Sequence, residues 1–220
     1  MSGERQRDRT VVHLLRHGEV HNPTGILYGR LPGYHLSDRG REMSERAASA
    51  LADRDITYLA SSPLERALET ASPAAAKLGL EVAVDERLVE PANVFEGLRF
   101  GVGDGALRRP ATWRHLYNPL RPSWGEPYRA IVARMRSAVD DARRTAAGHE
   151  ALLVSHQLSI WVLRCAIEGR RLFHDPRKRQ CALASLTSLT YEGDRVVSIC
   201  YSEPAAGLVP RDAGRFSAGA

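Results

Sequence analysis

Short apolar runs and segments with helical spacing alternate along the 220-residue chain. Apolar runs of about four to eight residues, rich in Val, Ile, Leu and Thr, are typical of buried strands. Such runs predict strands over residues 10–15, 56–60, 80–84 and 151–155. Two later runs, 183–191 and 195–201, flank Glu192-Gly193-Asp194 and predict a β-hairpin with a tight turn.

Two helices are predicted after the first two strands. Ser37 can cap a helix over about 38–54, whose apolar residues fall on one face. Ser62 can cap the next helix, because Pro63 stands at the first helical position and Glu65 at the third, where a carboxylate completes a capping box. Gly79 is the predicted stop of that helix, since glycine readily adopts the left-handed conformation at a helix end.

Two more helices are predicted on either side of the fourth strand. Pro127 begins the first, which carries an apolar stripe of Ile131, Met135, Ala138, Val139 and Ala142. His156 begins the second, which continues to about Glu168. Because strands and helices alternate, the sequence predicts an α/β fold, a three-layer α/β/α sandwich around a mostly parallel sheet.

The length and composition predict one folded domain. A chain of 220 residues, 43% of them apolar, can bury a sizeable core as a single α/β unit. We expect this domain to cover residues 1–205, with a loose tail over 206–220. Residues 86–128 are rich in Gly, Pro, Arg and Trp and have weak periodicity, so we expect them to form a lid-like insertion that selects the substrate.

Charge and cysteine content argue against several classes of protein. The net charge of +5 comes without a long Lys/Arg run or a recognised nucleic-acid motif, so we expect an anionic small substrate and no nucleic acid. No window is apolar enough to span a membrane, and the charged first ten residues do not resemble a signal peptide, so we expect a cytoplasmic protein without membrane contact. The three cysteines have no disulfide or metal-binding spacing, and no metal or cofactor is expected.

Four side chains with phosphate chemistry follow predicted strands. Arg16 and His17 come after the first strand, Arg66 lies in the first turn of the helix after the second, and His156 follows the fourth. Because parallel strands end at the same edge of a sheet, we expect these side chains to meet there. A neutral imidazole can attack phosphorus, and arginine forks bind phosphate oxygens. The pattern predicts a metal-independent phosphoryl-transfer site, with His17 as nucleophile and His156 stabilising the oxygens.

The alkoxide that leaves phosphorus needs a proton, and a carboxylic acid near the site can supply it. The loop after the third strand offers two such acids, Glu90 and Glu96, and the residues alone leave the choice open. Arg30, in Tyr28-Gly29-Arg30, is a further candidate for the mouth of the site, and its position in the sequence does not decide the matter.

These motifs together resemble those of the histidine phosphatase superfamily, the phosphoglycerate-mutase-like proteins of branch 1. The segment Arg16-His17-Gly18-Glu19 with Asn22, followed by Leu36-Ser37-x-x-Gly40, is similar to the opening of that superfamily. Its second and third motifs resemble Ser62-Pro63-Leu64-x-Arg66-Ala67-x-x-Thr70 and Val154-Ser155-His156.

The resemblance implies the same three-layer fold and a phosphohistidine at His17. It implies that the phosphate is bound by Arg16, Asn22, Arg66 and His156. It also maps the proton donor of the family best onto Glu90, in Leu88-Val89-Glu90.

The chain departs from the family pattern at three places. Family members commonly have a glycine a few residues after the acid, then an acidic residue and glycine, whereas here Pro91-Ala92-Asn93-Val94-Phe95 precedes Glu96-Gly97 and the spacing is one residue short. Gln157 stands after the second histidine, where the family commonly has glycine, and Glu90-Pro91-Ala92-Asn93-Val94 replaces the Glu-Arg-His-Tyr-Gly run of the glycolytic mutases. The last difference favours a phosphatase over a mutase. Three hypotheses remain: a phosphatase of a small phosphate monoester, which we favour, a phosphoglycerate-mutase-like phosphotransferase, and a phosphate-ester-binding protein with little turnover.

Overall fold

A computed structural model describes residues 9–99 and 125–208. The described part of the chain holds a six-stranded sheet in the order β3-β2-β4-β1-β5-β6. The strands are β1 (Arg9–Arg16), β2 (Ile56–Ser61), β3 (Ala83–Val84), β4 (Glu150–Ser155), β5 (Leu186–Glu192) and β6 (Arg195–Ser202). The pairs β1–β4, β2–β4 and β2–β3 are parallel, and β5 runs antiparallel to β1 and β6.

Helices cover both faces of this sheet. They are α1 (Asp38–Leu51), α2 (Glu65–Leu78), α3 (Tyr128–Thr145) and α4 (Gln157–Ile167). One apolar core lies under α1 and α2 and includes Met43 and Ala71, whereas the other lies under α3 and α4 and includes Ile131 and Leu163. The arrangement confirms the predicted three-layer α/β/α sandwich with a mostly parallel sheet.

The central strands are buried on both faces, which explains their continuous apolar sequences. Consecutive residues of a strand point to opposite sides of the sheet. Leu14 of β1 accordingly packs in the core under α3 and α4, and Leu15 packs in the core under α1 and α2. The same alternation places Leu153 and Val154 of β4 in different cores.

Parallel pairing brings the carboxyl ends of β1, β2 and β4 to one edge of the sheet. Arg16 at the end of β1 lies opposite Ser155 at the end of β4. Ser61 at the end of β2 lies opposite Val154 of the same strand. Residues that directly follow these three strands are therefore neighbours in space, as predicted.

Several predicted caps and turns are confirmed. Ser37 Oγ accepts a hydrogen bond from Gly40 N at 3.0 Å and caps α1. Gly79 ends α2 in the left-handed conformation, with φ of 66°. Gly193, with φ of 61°, turns the hairpin between β5 and β6. The predicted apolar stripe of α3 is buried along its whole length.

The structure corrects three local predictions. Helix α2 begins at Glu65 with Leu64 as its N-cap residue, so Ser62 precedes the helix and does not cap it. The Ser62 hydroxyl is bonded instead to His156, and this tertiary contact outweighs the local capping pattern. Helix α1 ends at Leu51, its last buried residue, rather than near residue 54. Strand β3 is reduced to Ala83–Val84, both exposed at the edge of the sheet.

The predicted lid lies largely outside the described residues. Its described ends are residues 86–99, which begin with a 3-10 turn at Glu86–Leu88, and residues 125–128. Residues 100–124 and 209–220 fall outside, so the lid and the loose tail stay predictions. Of the helices in the described ranges, none has the length and apolar character needed to cross a membrane.

Candidate active site

Five polar side chains are buried where β1, β2 and β4 end. Arg16 and His17 lie at the end of β1, Arg66 in the first turn of α2, Glu90 after the 3-10 turn, and His156 at the end of β4. Their exposed fractions are 3% for Arg16, 1% for His17, 0% for Arg66, 6% for Glu90 and 0% for His156. Burying charged groups is costly unless they have partners, so such a cluster marks a candidate functional site.

His17 presents one ring nitrogen for chemistry. Its Nδ1 lies 2.8 Å from Gly18 O. Because a carbonyl oxygen can only accept, Nδ1 carries the proton and the lone pair of Nε2 is available. Burial, followed by the positive charges of Arg66 and Arg16, lowers the pKa of His17 well below its usual 6.5. The ring is therefore neutral at pH 7, as a nucleophile must be.

Close backbone packing fixes the segment that carries His17. Gly18 N donates to Thr70 Oγ1 at 3.0 Å, and the same hydroxyl donates to Arg66 O at 2.7 Å. A Cβ atom at Gly18 would lie 2.5 Å from Gly40 O, and a Cβ atom at Gly40 would overlap Glu19 O. Glycine is thus required at both positions, because the loop after β1 touches the first turn of α1.

The two arginines of the site keep donors free although they are buried. Arg16 Nη1 donates to Cys181 O at 2.7 Å, and Arg66 Nη2 donates to Gly29 O at 2.6 Å. The guanidinium of Arg66 also lies over the Tyr28 ring, 4.8 Å from its centroid. Among the described residues, Arg16 Nε, Arg66 Nε and Arg66 Nη1 have no hydrogen-bond partner. Buried donors without partners are rare, so these three indicate a site for an anion.

His156 lies beside His17, with the two ring centroids 5.2 Å apart. Its Nε2 is 2.8 Å from Ser62 Oγ, which accepts a hydrogen bond from Leu64 N at 3.4 Å. We assign the Ser62 proton to the bond with Nε2, which leaves the His156 proton on Nδ1. That Nδ1 has no hydrogen-bond partner in the described part of the chain. Burial, with Arg66 adding to it, lowers the pKa of His156 well below 6.5, so the ring is a neutral donor at pH 7.

Glu90 is the carboxylic acid of the cluster. Its Oε2 lies 3.7 Å from His156 Nδ1 and forms no hydrogen bond with any described residue. Burial raises the pKa of Glu90, and nearby arginines, Arg66 first, oppose the rise. A raised pKa keeps the carboxyl group protonated to higher pH than an exposed glutamate, which a proton donor requires.

The segment that carries Glu90 is fixed by four side chains, one for each carbonyl of residues 87–90. The donors are Arg134 Nη1 to Arg87 O at 2.5 Å, Ser155 Oγ to Leu88 O at 2.7 Å, Ser159 Oγ to Val89 O at 3.1 Å and Arg30 Nε to Glu90 O at 2.5 Å. Glu126 pairs with both Arg30 and Arg134 and links the two. These contacts hold the acid against β4 and α4.

Most of these donors to the carbonyls of residues 87–90 could not be predicted from the sequence. The position of Arg30 in the sequence leaves its role open, and no pattern marks Arg134 or Ser159, because a side chain that donates to a distant carbonyl belongs to no short motif. In the structure, Arg30 contacts the backbone of Glu90, because Arg30 Nε donates to the Glu90 carbonyl oxygen.

Asn22 and Glu96 have contacts away from the two histidines. Asn22 Nδ2 donates to Ile26 O at 2.9 Å, and Asn22 Oδ1 accepts from Ile26 N at 3.3 Å, so the amide organises its own loop. Glu96 Oε1 accepts from Asn93 N at 3.1 Å and packs against Gly29. In the described structure, neither side chain forms a hydrogen bond or ion pair with His17 or His156.

The cluster has the groups that phosphoryl transfer needs. It combines a neutral imidazole with a free lone pair, unpartnered cationic donors and a carboxylic acid with a raised pKa. Within residues 9–99 and 125–208, no three His, Cys, Asp or Glu side chains come together as a metal site would require.

Comparison with known sequences identifies the family. The model of the histidine phosphatase superfamily, branch 1, matches residues 12–203. The uncharacterised protein Rv0525 of Mycobacterium tuberculosis is 60% identical over 199 residues, which are 90% of this chain and 98% of that protein. The chain therefore belongs to the histidine phosphatase superfamily, and the resemblance inferred from its motifs is confirmed.

Solved structures agree with this membership. The mycobacterial glucosyl-3-phosphoglycerate phosphatase Rv2419c superposes with a TM-score of 0.70 at 27% identity, over 88% of this chain and 96% of its own. That phosphatase has also been solved with VO3 and with inorganic phosphate. YhfR of Bacillus stearothermophilus superposes with a TM-score of 0.76 at 23% identity, over 91% and 100% of the two chains, a likeness of fold alone. Family and neighbours make this protein an enzyme of the histidine phosphatase type.

Proposed function

We propose that the protein hydrolyses a small phosphate monoester through a phosphohistidine on His17. The observation that carries this proposal is the set of buried, unpartnered donors on Arg16, Arg66 and His156, which surround a neutral His17. Donors of this kind suit the oxygens of a phosphoryl group. The phosphate complex of the mycobacterial phosphatase that shares this fold supports the same reading.

In the first step, His17 Nε2 attacks phosphorus and the bond between phosphorus and the ester oxygen breaks. Arg16, Arg66 and His156 Nδ1–H hold the phosphoryl oxygens, whose negative charge must be stabilised during transfer. Protonated Glu90 gives its proton to the departing alkoxide. The products of this step are a free alcohol and a phosphohistidine whose Nδ1–H still donates to Gly18 O.

In the second step, a water molecule attacks phosphorus from the side that the alcohol has left. Glu90, now a carboxylate, takes a proton from this water while the bond between phosphorus and His17 Nε2 breaks. Inorganic phosphate leaves, and His17 and Glu90 regain their first protonation states. Since protein groups handle every charge, the proposed reaction is independent of metal ions.

We assign the proton transfer to Glu90 rather than Glu96. Glu90 Oε2 lies 3.7 Å from His156 Nδ1 and is free of protein donors among the described residues, whereas Glu96 Oε1 is bonded to Asn93 N. A role of Asn22 in phosphate binding stays a prediction. Its contacts with Ile26 support an indirect role through the loop after β1.

Product analysis tests this proposal against the mutase and binding alternatives. With excess chelator present, the enzyme should release inorganic phosphate from both p-nitrophenyl phosphate and 3-phosphoglycerate. Conversion of 3-phosphoglycerate to 2-phosphoglycerate with little free phosphate would indicate a mutase. Saturable binding of either ester without turnover would indicate a phosphate-ester-binding protein.

Replacing Ser62 with alanine is expected to lower kcat about fivefold, because the loss of a hydrogen bond worth roughly 1 kcal/mol releases the His156 ring from its orientation. In the absence of the hydroxyl, the imidazole can place its proton on Nε2, and Nδ1 then no longer donates to the phosphoryl group. Steady-state kinetics with p-nitrophenyl phosphate measure this change.

Ser61→Ala is the matched control for this prediction. Ser61 is as buried as Ser62, and its hydroxyl donates to Ser62 O at 3.0 Å without bonding His156. We expect Ser61→Ala to affect stability more than kcat. Equal losses of kcat in both variants would mean that Ser62 matters through packing and does not orient His156.

A further inference from the structure

Seven described arginines are buried or half-buried: Arg16, Arg66, Arg87, Arg134, Arg143, Arg164 and Arg179. Four of them form an ion pair with an aspartate or glutamate. The other three have no ion-pair partner in the described part of the chain, and two of these, Arg16 and Arg66, are the proposed phosphate ligands. The third is Arg179, a shielded cation that the proposed phosphate site leaves unexplained.

Two neutral acceptors hold Arg179. Its Nη1 donates to Gln157 Oε1 at 3.1 Å, and its Nε donates to His174 Nε2 at 2.9 Å. His174 Nδ1 lies 2.6 Å from Leu172 O, which can only accept, so the His174 proton is on Nδ1 and Nε2 offers a lone pair. Burial lowers the pKa of His174, which favours this neutral ring. Both contacts orient the guanidinium without offsetting its charge.

Gln157 connects Arg179 to the phosphate site. It directly follows His156, and its Nε2 donates to Cys181 O at 3.3 Å. The same carbonyl accepts from Arg16 Nη1 at 2.7 Å, so Arg16 and Gln157 share one anchor. The positive charge of Arg179 also acts on Glu90 and helps to lower the pKa of that carboxyl group. Gln157 thus holds Arg179 beside the start of α4, next to the proposed phosphate site.

We infer that Arg179 binds a second anionic group of the substrate, a carboxylate or a second phosphate carried by the leaving alcohol. This inference rests on the proposed phosphatase function and names the substrate class. Nη2 of Arg179 forms no hydrogen bond with any described residue, and an arginine fork suits two oxygens of one anion. Gln157 is a positioning residue in this arrangement, since its side-chain oxygen aims the guanidinium.

Two pairs of substrates that differ by one anionic group test the inference. Glycerol 3-phosphate lacks the carboxylate of 3-phosphoglycerate, and fructose 6-phosphate lacks the second phosphate of fructose 1,6-bisphosphate. In at least one pair, the wild type should have a higher kcat/KM for the member with the extra anion. Arg179→Gln should lower that value about 10- to 100-fold, because a hydrogen bond between charged groups is lost. The value for the simpler member should fall by a much smaller factor, and the pair that responds identifies the anion.

Arg177→Gln is the matched control, because Arg177 is exposed and paired with Asp175 at 2.8 Å. It should leave both members of each pair unchanged. Arg179→Lys keeps the charge and loses the fork, so its kcat/KM for the doubly anionic member should fall between those of the wild type and Arg179→Gln.

Because Arg179 lowers the pKa of Glu90, the high-pH limb of the rate profile should move to higher pH in Arg179→Gln. A role confined to packing would not move that limb.

The outcomes separate this inference from the function on which it rests. Equal losses for both members of each pair in folded Arg179→Gln and Arg179→Lys, or no preference in the wild type, would overturn the second-anion site and leave the phosphatase function intact. Failure of the wild type to release inorganic phosphate from p-nitrophenyl phosphate and from all four members of the two pairs would overturn the phosphatase function, and the second-anion site with it.

Discussion

Replacing His17 with alanine is expected to reduce hydrolysis of p-nitrophenyl phosphate by at least about 10⁴-fold, as removal of a covalent nucleophile does. In the proposed reaction, His17 Nε2 forms the bond to phosphorus. His156 does not substitute for it, because its Nδ1 carries a proton and its Nε2 is bonded to Ser62. Initial rates with and without excess chelator measure the effect and test metal independence in the same assay.

His149→Ala controls for the general loss of a histidine. His149 is exposed, pairs with Asp55 at 2.7 Å, and precedes β4 at the end of the strand away from His156. This variant should keep wild-type activity. If His17→Ala kept wild-type activity, the nucleophile would be wrongly assigned, and if the wild type lost its activity with chelator, the metal-independent mechanism would be wrong.

Replacing Glu90 with glutamine is expected to slow phosphorylation of His17 by glycerol 3-phosphate about 10²- to 10⁴-fold, because the alkoxide then leaves without a proton. Phosphorylation by p-nitrophenyl phosphate should change less than about tenfold, since nitrophenolate needs no proton. Rapid-quench measurement of the first turnover isolates this step. The later hydrolysis of the phosphohistidine should be slow in the variant with either substrate, because the base for water is lost.

Glu96→Gln is the matched control for the choice between the two acids. It should leave the first turnover of both substrates close to the wild-type rate. If Glu90→Gln slowed both substrates equally, or if Glu96→Gln reproduced its pattern, the assignment of the proton donor to Glu90 would be wrong.

The same assignment fixes the direction of the pH dependence. Because the pKa of His17 is lowered, the attacking ring stays neutral well below pH 6.5, and the rate falls only as pH drops through that pKa. Because the pKa of Glu90 is raised, the rate with an alkoxide leaving group falls as pH rises through a value above that of an ordinary glutamate. The high-pH fall should be absent in Glu90→Gln on the same substrate.

The layers of the fold and the meeting of four candidate side chains could be predicted because their signals are local. Arg16 ends β1, His17 and His156 directly follow β1 and β4, Arg66 follows β2 by a few residues, and parallel strands end together. The apolar stripe of α3 likewise depends on spacing within one helix, and every predicted member is buried.

Contacts between distant segments could not be predicted in the same way. Ser62 fits a capping pattern, yet its hydroxyl is bonded to His156, which is 94 residues away in the sequence. Helix α2 therefore begins at Glu65 without Ser62 as its cap. The donors to the carbonyls of residues 87–90 are 47 to 70 residues from their acceptors and follow no period. The proposed choice of Glu90 over Glu96 and the partial burial of Arg179 depend on tertiary packing, which spacing in the sequence does not reveal.

Trapping the phosphoenzyme tests the phosphohistidine mechanism most directly. The enzyme is mixed briefly with p-nitrophenyl phosphate, quenched in alkali, which preserves phosphohistidine, and digested for mass spectrometry. The proposed mechanism predicts a phosphoryl group on His17 in the wild type, a larger amount of it in Glu90→Gln, and none in His17→Ala. Turnover with His17 unmodified, or a phosphoryl group on another residue such as His156, would contradict it.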